Sequence, residues 1–202
     1  MEKQSSRREQ ARLAKQQRIR AAAAALFRRQ GFEATTTDQI AAEADVAKGT
    51  VFLYAPTKLH LLLLIYEAEL GDLVAQALAL PPAGSPPEAL AAIFGHFIRH
   101  YERDQDLARR FIQTQLFEPP LGDGAALADL MGGIVALIAG WQSAGLARRA
   151  VDPALAAHTS FGLYLVVLTA WLSGRLTPEQ RDAQLRASLA LHWQGLANRA
   201  ED

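Results

Sequence analysis

Residues 35–62, TTTDQIAAEADVAKGTVFLYAPTKLHLL, have the pattern of two short helices joined by a tight turn. Thr36 and Gln39 have the spacing of a capping box, in which the hydroxyl and the amide each satisfy an exposed main-chain N–H group at a helix start. The first helix is therefore expected to start at Thr36 and to run to about Ala44, with Ile40 facing inward.

The second helix is predicted to follow a turn at Asp45, whose short polar side chain tolerates the left-handed backbone conformation better than most residues do. It runs from Lys48 to Tyr54, because Pro56 disfavours helical geometry at the residue before it. Its outward face is expected to hold Ala47, Lys48, Thr50 and Leu53. Such a pair forms a helix-turn-helix, whose second helix enters the DNA major groove while the first crosses the phosphate backbone.

The segment from Arg18 to Leu62 resembles the DNA-binding domain of the TetR family of bacterial transcriptional regulators. Three positions depart from the family pattern: Asp45 replaces a usual glycine, Phe52 replaces a tyrosine whose hydroxyl often binds phosphate, and Ala55 replaces an aromatic residue. The resemblance covers about a quarter of the chain and implies a helical DNA-binding domain. The similar residues are the block IRAAAAALFRRQGFEATTTDQIAAEADVAKGT, then Tyr54, Pro56, Thr57 and Lys58.

A set of polar residues at the helix starts is expected to contact DNA. Hydroxyl, ammonium and main-chain N–H groups at such positions favour phosphate oxygens, and Lys48 and Thr50 can also reach base edges. The alternative is that the threonines only cap helices and that Tyr54 only packs in the core. The predicted DNA contacts are Thr36, Thr37, Lys48, Gly49, Thr50, Tyr54 and Lys58.

The charge distribution supports a nucleic-acid partner. The 202 residues have a net charge of zero, but residues 1–60 contain 11 Lys or Arg against 6 Asp or Glu, while residues 61–202 contain 10 against 15. Positive charge is thus concentrated around the helix-turn-helix, and neutralisation of phosphates supplies most non-specific DNA affinity. The basic residues before and along the first helix fit either a solvated helix face or an arm that touches phosphates or the minor groove.

The rest of the chain is predicted to be helical and soluble. Cysteine is absent, the N-terminus lacks an apolar signal, and the longest nearly uncharged run is short for a bilayer span, so a cytoplasmic protein without a membrane partner is expected. Residues 1 to about 8 are expected to be disordered, and a first helix ends at Gly31. Further helices are predicted at about residues 58–80, 88–103, 106–117, 125–144, 153–174 and 178–199.

The expected architecture is an all-α fold of about nine helices. An N-terminal arm and a three-helix helix-turn-helix DNA-binding domain occupy residues 1–57, and a C-terminal ligand-binding and dimerisation domain occupies residues 58–202. The family resemblance implies that the last two helices pair with their copies in a second subunit to form a four-helix bundle. Leu189, on the apolar stripe of the last helix, is expected in that interface.

The C-terminal helices carry many aromatic residues, each of which alone is more often packing than ligand contact. As a set, the resemblance implies that they line the site of a small, hydrophobic effector. The predicted ligand residues, with their polar partners, are Phe94, Phe97, His100, Tyr101, Phe111, Gln113, Trp141, Gln142, His158 and Phe161.

These features predict a homodimeric repressor that binds a palindromic operator and is released by its effector. An activator, and a ligand-binding or scaffold protein with a vestigial DNA-binding unit, are alternatives. An enzyme is not expected, because the HExxH, GxxxxGK[ST] and GxSxG patterns are absent. His96 and His100 are four residues apart on a predicted helix, but no further ligand completes a metal site, so no metal or cofactor is expected.

Overall fold

The computed structural model describes residues 2–81, 84–117 and 124–197, with side chains from residue 9 onward within those ranges. This part of the chain is helical apart from turns and one isolated bridge between Ala147 and Ala197. The predicted all-α fold of about nine helices is confirmed. The nine helices of the described ranges are α1 (Glu2–Gln30), α2 (Thr37–Glu43), α3 (Lys48–Tyr54), α4 (Lys58–Leu78), α5 (Pro86–Tyr101), α6 (Gln105–Phe117), α7 (Ala125–Ser143), α8 (Pro153–Leu172) and α9 (Pro178–Leu196).

The residues group into two compact units. The first unit contains α1, α2, α3, the part of α4 up to Glu69 and the end of α6 from Gln113. The second unit contains the rest of α4 and α6 together with α5, α7, α8 and α9. α4 and α6 therefore contribute to both units, and the domain boundary predicted between residues 57 and 58 stays a prediction.

α1 begins earlier than the sequence predicts. The helix already includes Glu2, so the disorder expected for residues 2–8 is wrong, whereas Met1 lies outside the described residues. No glycine or proline interrupts residues 2–30, and Arg12 pairs with Glu9 three residues earlier on the same face. Because nothing local breaks the helix and this pair supports it, the helix continues toward the N-terminus.

The first unit is organised around the apolar face of α1. Phe27 on α1, Ile40 on α2 and Val51 on α3 are each at most 1% exposed, so the three helices share one core. At the end of α1, Gly31 has a φ of 84°, and the Phe32 ring returns to 5.1 Å from the Phe27 ring, measured between centroids. A left-handed residue followed by an apolar return contact ends the helix and directs the chain toward α2.

In the second unit, α9 packs against α5 and α8, and α7 packs against α8. Leu185, Leu189 and Leu196 on α9 all lie in this core, and Leu189 is only 1% exposed. The expectation that Leu189 lies in a subunit interface is therefore wrong. The rotation of α9 is set by the unit's own core, which takes up its large apolar stripe, and Leu191, at 69% exposed, points the other way.

Two helices, α7 and α8, are long and apolar enough to cross a bilayer by length and composition among the described residues. The core helices of soluble proteins have the same length and apolar composition, so these two properties do not by themselves show a membrane span. Tyr164, Val167 and Leu168 of α8 lie in the core of the second unit.

Candidate nucleic-acid interface and effector core

The start of α2 has the hydrogen bonds that the sequence predicts. Thr36 is the N-cap: its hydroxyl accepts from the Gln39 N–H at 3.2 Å, and its own N–H donates to the Gln39 side-chain oxygen at 2.9 Å. The reciprocal capping box is therefore confirmed. Thr36 is exposed, whereas Thr37 is half-buried.

A short turn links α2 to α3. Asp45 has a φ of 52°, the left-handed conformation predicted for it, and among the described residues other than glycine no other has a positive φ. The Val46 N–H donates to the Ala41 carbonyl at 3.0 Å, which folds the chain back under the turn. The Asp45 carboxylate also lies 3.7 Å from the Arg18 guanidinium, although the carboxylate is almost fully exposed.

α3 presents a polar and partly apolar outer face at its start. Val51 is completely buried, whereas Lys48 and Gly49 are exposed and Thr50 is half-buried. Lys48 pairs with Asp38 at 2.8 Å, but both side chains are more than half exposed. A surface ion pair of this kind is worth little, so the ammonium can exchange the carboxylate for a phosphate at small cost.

The far end of α3 is tied to α1. The Tyr54 hydroxyl donates to the Arg12 carbonyl at 3.0 Å, and the side chain is half-buried. Tyr54 therefore has an internal role, and its oxygen keeps a lone pair that can accept a further hydrogen bond. Its predicted DNA contact stays a prediction.

Lys58, the first residue of α4, turns inward. Its ammonium donates to the carbonyls of Phe32, Glu33 and Thr35 at 2.6, 3.1 and 3.0 Å and lies 4.4 Å from the centre of the Phe32 ring. A lysine ammonium has three donors, and all three are used by the protein. The structure thus places Lys58 in the first unit with main-chain carbonyls as partners, and its predicted DNA contact stays a prediction.

Two apolar side chains on α3 were outside the predicted DNA contacts. Leu53 is 87% exposed and Phe52 is 42% exposed. The three-residue step of the sequence already placed Leu53 on the outer face of this helix. Apolar side chains do contact the methyl group of thymine in the major groove, so both belong to the candidate interface.

Four of the predicted ligand residues lie in the core of the second unit: Phe94, Phe97, Tyr101 and Phe111 are each at most 3% exposed. The Phe94 ring stacks on Tyr164 at 4.8 Å and lies 6.4 Å from Phe161, and the Tyr101 ring lies 6.4 Å from Phe111. These aromatic residues of α5, α6 and α8 form a continuous cluster, which we call the aromatic core.

A hydroxyl pair is buried inside the aromatic core. Burial raises the pKa of both Tyr101 and Tyr164 well above the ordinary value, and the Tyr164 hydroxyl donates a hydrogen bond to that of Tyr101. The pair is the polar feature of an otherwise apolar cluster. The sequence alone does not predict this pair, because spacing along one helix does not show that Tyr164 on α8 meets Tyr101 on α5.

The polar residues predicted to accompany the effector are more scattered. The Gln142 amide donates to the carbonyls of Arg148 and Val151 at 2.8 and 2.7 Å and so braces the loop between α7 and α8. His158 is exposed and bonds the Ala154 carbonyl. The structure does not bring these two side chains into the aromatic core.

The remaining predicted ligand residues lie at different depths. Gln113 is exposed, and His100 is half-buried with its ring 5.7 Å from that of Tyr101. Trp141 is half-buried and meets Trp193 edge-on at 5.6 Å. His100 is therefore adjacent to the aromatic core, and the ligand contacts of all three stay predictions.

A groove of about 650 Å³ between the end of α4, α5 and α9 contains none of the predicted ligand residues. Arg181 lies in its wall, 3% exposed, with its guanidinium 2.7 Å from Glu102, 2.8 Å from Asp182 and 4.5 Å from the Trp171 ring centre. Burial alone would lower the pKa of Arg181, but the hydrogen bonds to Asp182 and Glu102 outweigh it and raise that pKa. These contacts fix α9 against α5 and α8.

Metal chemistry has no visible site in the part of the chain that the structure describes. No group of three or more His, Cys, Asp or Glu residues is close enough there to hold an ion. His96 has a buried Nε2 atom without a hydrogen-bond partner, and burial together with the positive charges of Arg99, His100 and Arg103 lowers its pKa. A neutral, packed imidazole accounts for these observations.

The helix-turn-helix of this chain matches a known sequence family. Residues 19–65 correspond to the family described as bacterial regulatory proteins, tetR family. A curated relative, the HTH-type transcriptional repressor KstR of Rhodococcus jostii strain RHA1, is 30% identical over 116 residues, which are 57% of this chain and 52% of KstR. The chain thus spans about half the length of this relative.

Solved structures match over most of the chain. FadR of Thermus thermophilus, a TetR-family transcriptional repressor in complex with lauroyl-CoA, is 29% identical and has a TM-score of 0.68, with coverage of 93% of this chain and 98% of FadR. SmeT, the repressor of the Stenotrophomonas maltophilia multidrug efflux pump SmeDEF, is 22% identical and has a TM-score of 0.63, with coverage of 92% and 91%. At that identity the similarity to SmeT shows the common fold.

Proposed function

The chain belongs to the TetR family of bacterial regulatory proteins, and on this premise we propose that it is a repressor released from DNA by a small hydrophobic effector. In this proposal it acts in the cytoplasm as a homodimer and carries out no catalytic step. Each subunit inserts α3 into a major groove, and the two subunits bind half-sites of a palindromic operator one helical turn or more apart.

The observation that supports DNA reading most directly is the outer face of α3. Lys48 and Gly49 are exposed at its start, Leu53 is exposed along it, and Thr36 is exposed at the start of α2. The capping box and the Asp45 turn fix these groups on two rigid helices. A rigid surface with one ammonium, several hydroxyl and N–H donors and an apolar contact suits phosphate and base edges.

DNA binding is tested with the region upstream of the protein's own gene and with duplexes selected from a random pool. Lys48→Ala should weaken binding to the best duplex at least severalfold and reduce the slope of log K against log salt by about 0.9. Arg149→Ala, which removes an exposed positive charge from the loop between α7 and α8, is the matched control. Equal affinities of wild type and Lys48→Ala would contradict the proposed role of Lys48. Failure of the wild type to select any duplex would contradict the proposed function.

Dimerisation is proposed through α8 and α9, as expected from the sequence. The outward side of these helices carries large apolar side chains: Leu155 is 64% exposed, Val166 is 61% exposed and Leu191 is 69% exposed. Exposed apolar residues on two adjacent helices are typical of a surface that packs on a second copy.

The effector is proposed to enter the aromatic core. FadR, the relative in complex with lauroyl-CoA, is 29% identical and covers 93% of this chain, so an acyl chain is a reasonable first probe. Because Phe94 and Tyr101 are closely packed, an effector must displace side chains to enter, and it therefore favours a different conformer. To shift the ratio of the two conformers from 1:99 to 99:1, the effector must bind the favoured conformer about 10⁴-fold more tightly than the other, a difference of about 5.5 kcal/mol.

Effector binding is tested by adding lauroyl-CoA, free CoA and a panel of hydrophobic compounds to the DNA complex, while recording DNA release and the fluorescence of Trp141 and Trp171. A compound that changes both signals supports the proposal, and Phe161→Ala should weaken its effect severalfold. Leu127→Ala, at a half-exposed position on α7 outside the aromatic core and the DNA-contacting helices, is the control. If no compound in the panel releases DNA, the effector proposal is contradicted.

A further inference from the structure

Among the cationic side chains described in the first unit, Lys58 makes the most hydrogen bonds to main-chain carbonyls. Its ammonium bonds three main-chain carbonyls, those of Phe32, Glu33 and Thr35, and lies over the Phe32 ring. These carbonyls all belong to the turn between α1 and α2. Lys58 itself is the first residue of α4, so one side chain joins the beginning of α4 to that turn.

The turn needs such a partner. Carbonyl groups past the end of a helix have no intrahelical donor, and the helix dipole adds partial negative charge there. A compact ammonium offers three donors and a full positive charge at one point, which satisfies several carbonyls at once. The buried Thr35 hydroxyl, which donates to the Gly31 carbonyl at 2.8 Å, closes the same turn from its other side.

We infer that Lys58 is a positioning residue for DNA reading: it anchors the α1–α2 turn and does not bind a phosphate. Thr35 precedes Thr36, the N-cap of α2, so the place where α2 starts depends on the turn that Lys58 holds. α3 follows α2 through a turn of a few residues, so a shift in the position of α2 also displaces the exposed face of α3. This inference rests on the proposed DNA-binding function.

The experiment compares three variants on the duplex that the wild type selects from a random pool. Lys58→Met keeps the apolar stem and removes the donors, and Lys58→Arg keeps the charge on a planar group that cannot place its donors on the same three carbonyls. Ile65→Val, on the same helix, lowers stability without touching the turn and controls for simple destabilisation. Binding is measured well below each unfolding temperature, over a range of salt concentrations.

Lys58→Met is expected to lose about tenfold or more in DNA affinity, with an unchanged slope of log K against log salt. Lys58→Arg is expected to bind as weakly as Lys58→Met, because the charge alone does not restore affinity. Ile65→Val is expected to bind like the wild type. A phosphate contact gives a different pattern: the slope falls by about 0.9 and Lys58→Arg restores binding. That pattern, or wild-type affinity of Lys58→Met, overturns the inference.

A second measurement separates this inference from the proposed function. Hydrogen exchange at the Glu33 and Thr35 amides should become faster in Lys58→Met and stay unchanged in Ile65→Val, whether or not DNA is present. If the wild type selects no duplex, the proposed function fails and the positioning role fails with it. Faster amide exchange in Lys58→Met would still establish that Lys58 anchors the α1–α2 turn. Unchanged exchange overturns the anchor itself. Should Lys58→Met not fold, Lys58→Gln, which keeps two donors, takes its place.

Discussion

Leu189 and Leu191 lie two residues apart on α9 and should respond oppositely to the same substitution. Leu191 is 69% exposed and belongs to the surface proposed to pack on a second subunit, whereas Leu189 is 1% exposed in the core. Leu191→Glu is expected to give a folded monomer. Leu189→Glu is expected to unfold the second unit, because it places a carboxylate in an apolar core without a partner.

The magnitude for Leu191→Glu follows from its exposed area. Complete burial of a leucine side chain is worth about 1.5–3 kcal/mol, and about two thirds of this side chain is available to be buried by a partner. Each copy then contributes about 1–2 kcal/mol, and a symmetric dimer loses two copies. The expected loss of about 2–4 kcal/mol corresponds to a dimer dissociation constant that is roughly 30- to 700-fold weaker.

Sedimentation velocity over a range of concentrations measures this shift, and circular dichroism shows whether the monomer keeps its helices. Val166→Glu, on α8, should give the same result, while Phe52→Glu, on α3, should leave the dimer intact. A dimer of unchanged affinity in both Leu191→Glu and Val166→Glu would show that this face is not the interface. A folded Leu189→Glu monomer would refute the inward orientation of Leu189 on α9.

Three further predictions concern stability. Tyr101→Phe leaves the Tyr164 hydroxyl buried without its acceptor and should lower the free energy of unfolding by about 1–3 kcal/mol. In a double-mutant cycle of thermal unfolding, the variant with both Tyr101→Phe and Tyr164→Phe should lose less than the sum of the two single changes. Additive losses would argue against the hydroxyl pair. Hydrogen bonds from the Ser85 main-chain N–H and hydroxyl lower the pKa of Glu88, so its contribution to stability is present above the unfolded-state pKa and is lost as pH falls through the folded-state pKa. The stability difference between wild type and Glu88→Gln, measured by urea unfolding, should therefore disappear in acid, and a difference independent of pH would contradict this. Asp45→Gly should be more stable than Asp45→Ala by about 1 kcal/mol, because a left-handed φ is costly for a residue with a Cβ, and equal melting temperatures would exclude that strain.

The sequence by itself determined where α2 begins, how the chain turns after it and where α3 ends. Thr36 with Gln39 predicted the start of α2, Asp45 predicted the left-handed turn, and Pro56 predicted the end of α3, and the structure has all three. These features depend on hydrogen bonds and backbone sterics within about four residues of chain, so the information is local.

Only the tertiary structure decided what individual side chains contact. Lys58 looked like a phosphate contact from its place at a helix start, yet its ammonium is taken by carbonyls 23 to 26 residues earlier in the chain. Leu189 looked like an interface residue, and Tyr164 like one aromatic among many, until the neighbouring helices fixed their surroundings. The direction of a side chain depends on the rotation of its helix in the packed core, and that rotation is set by residues far away in sequence.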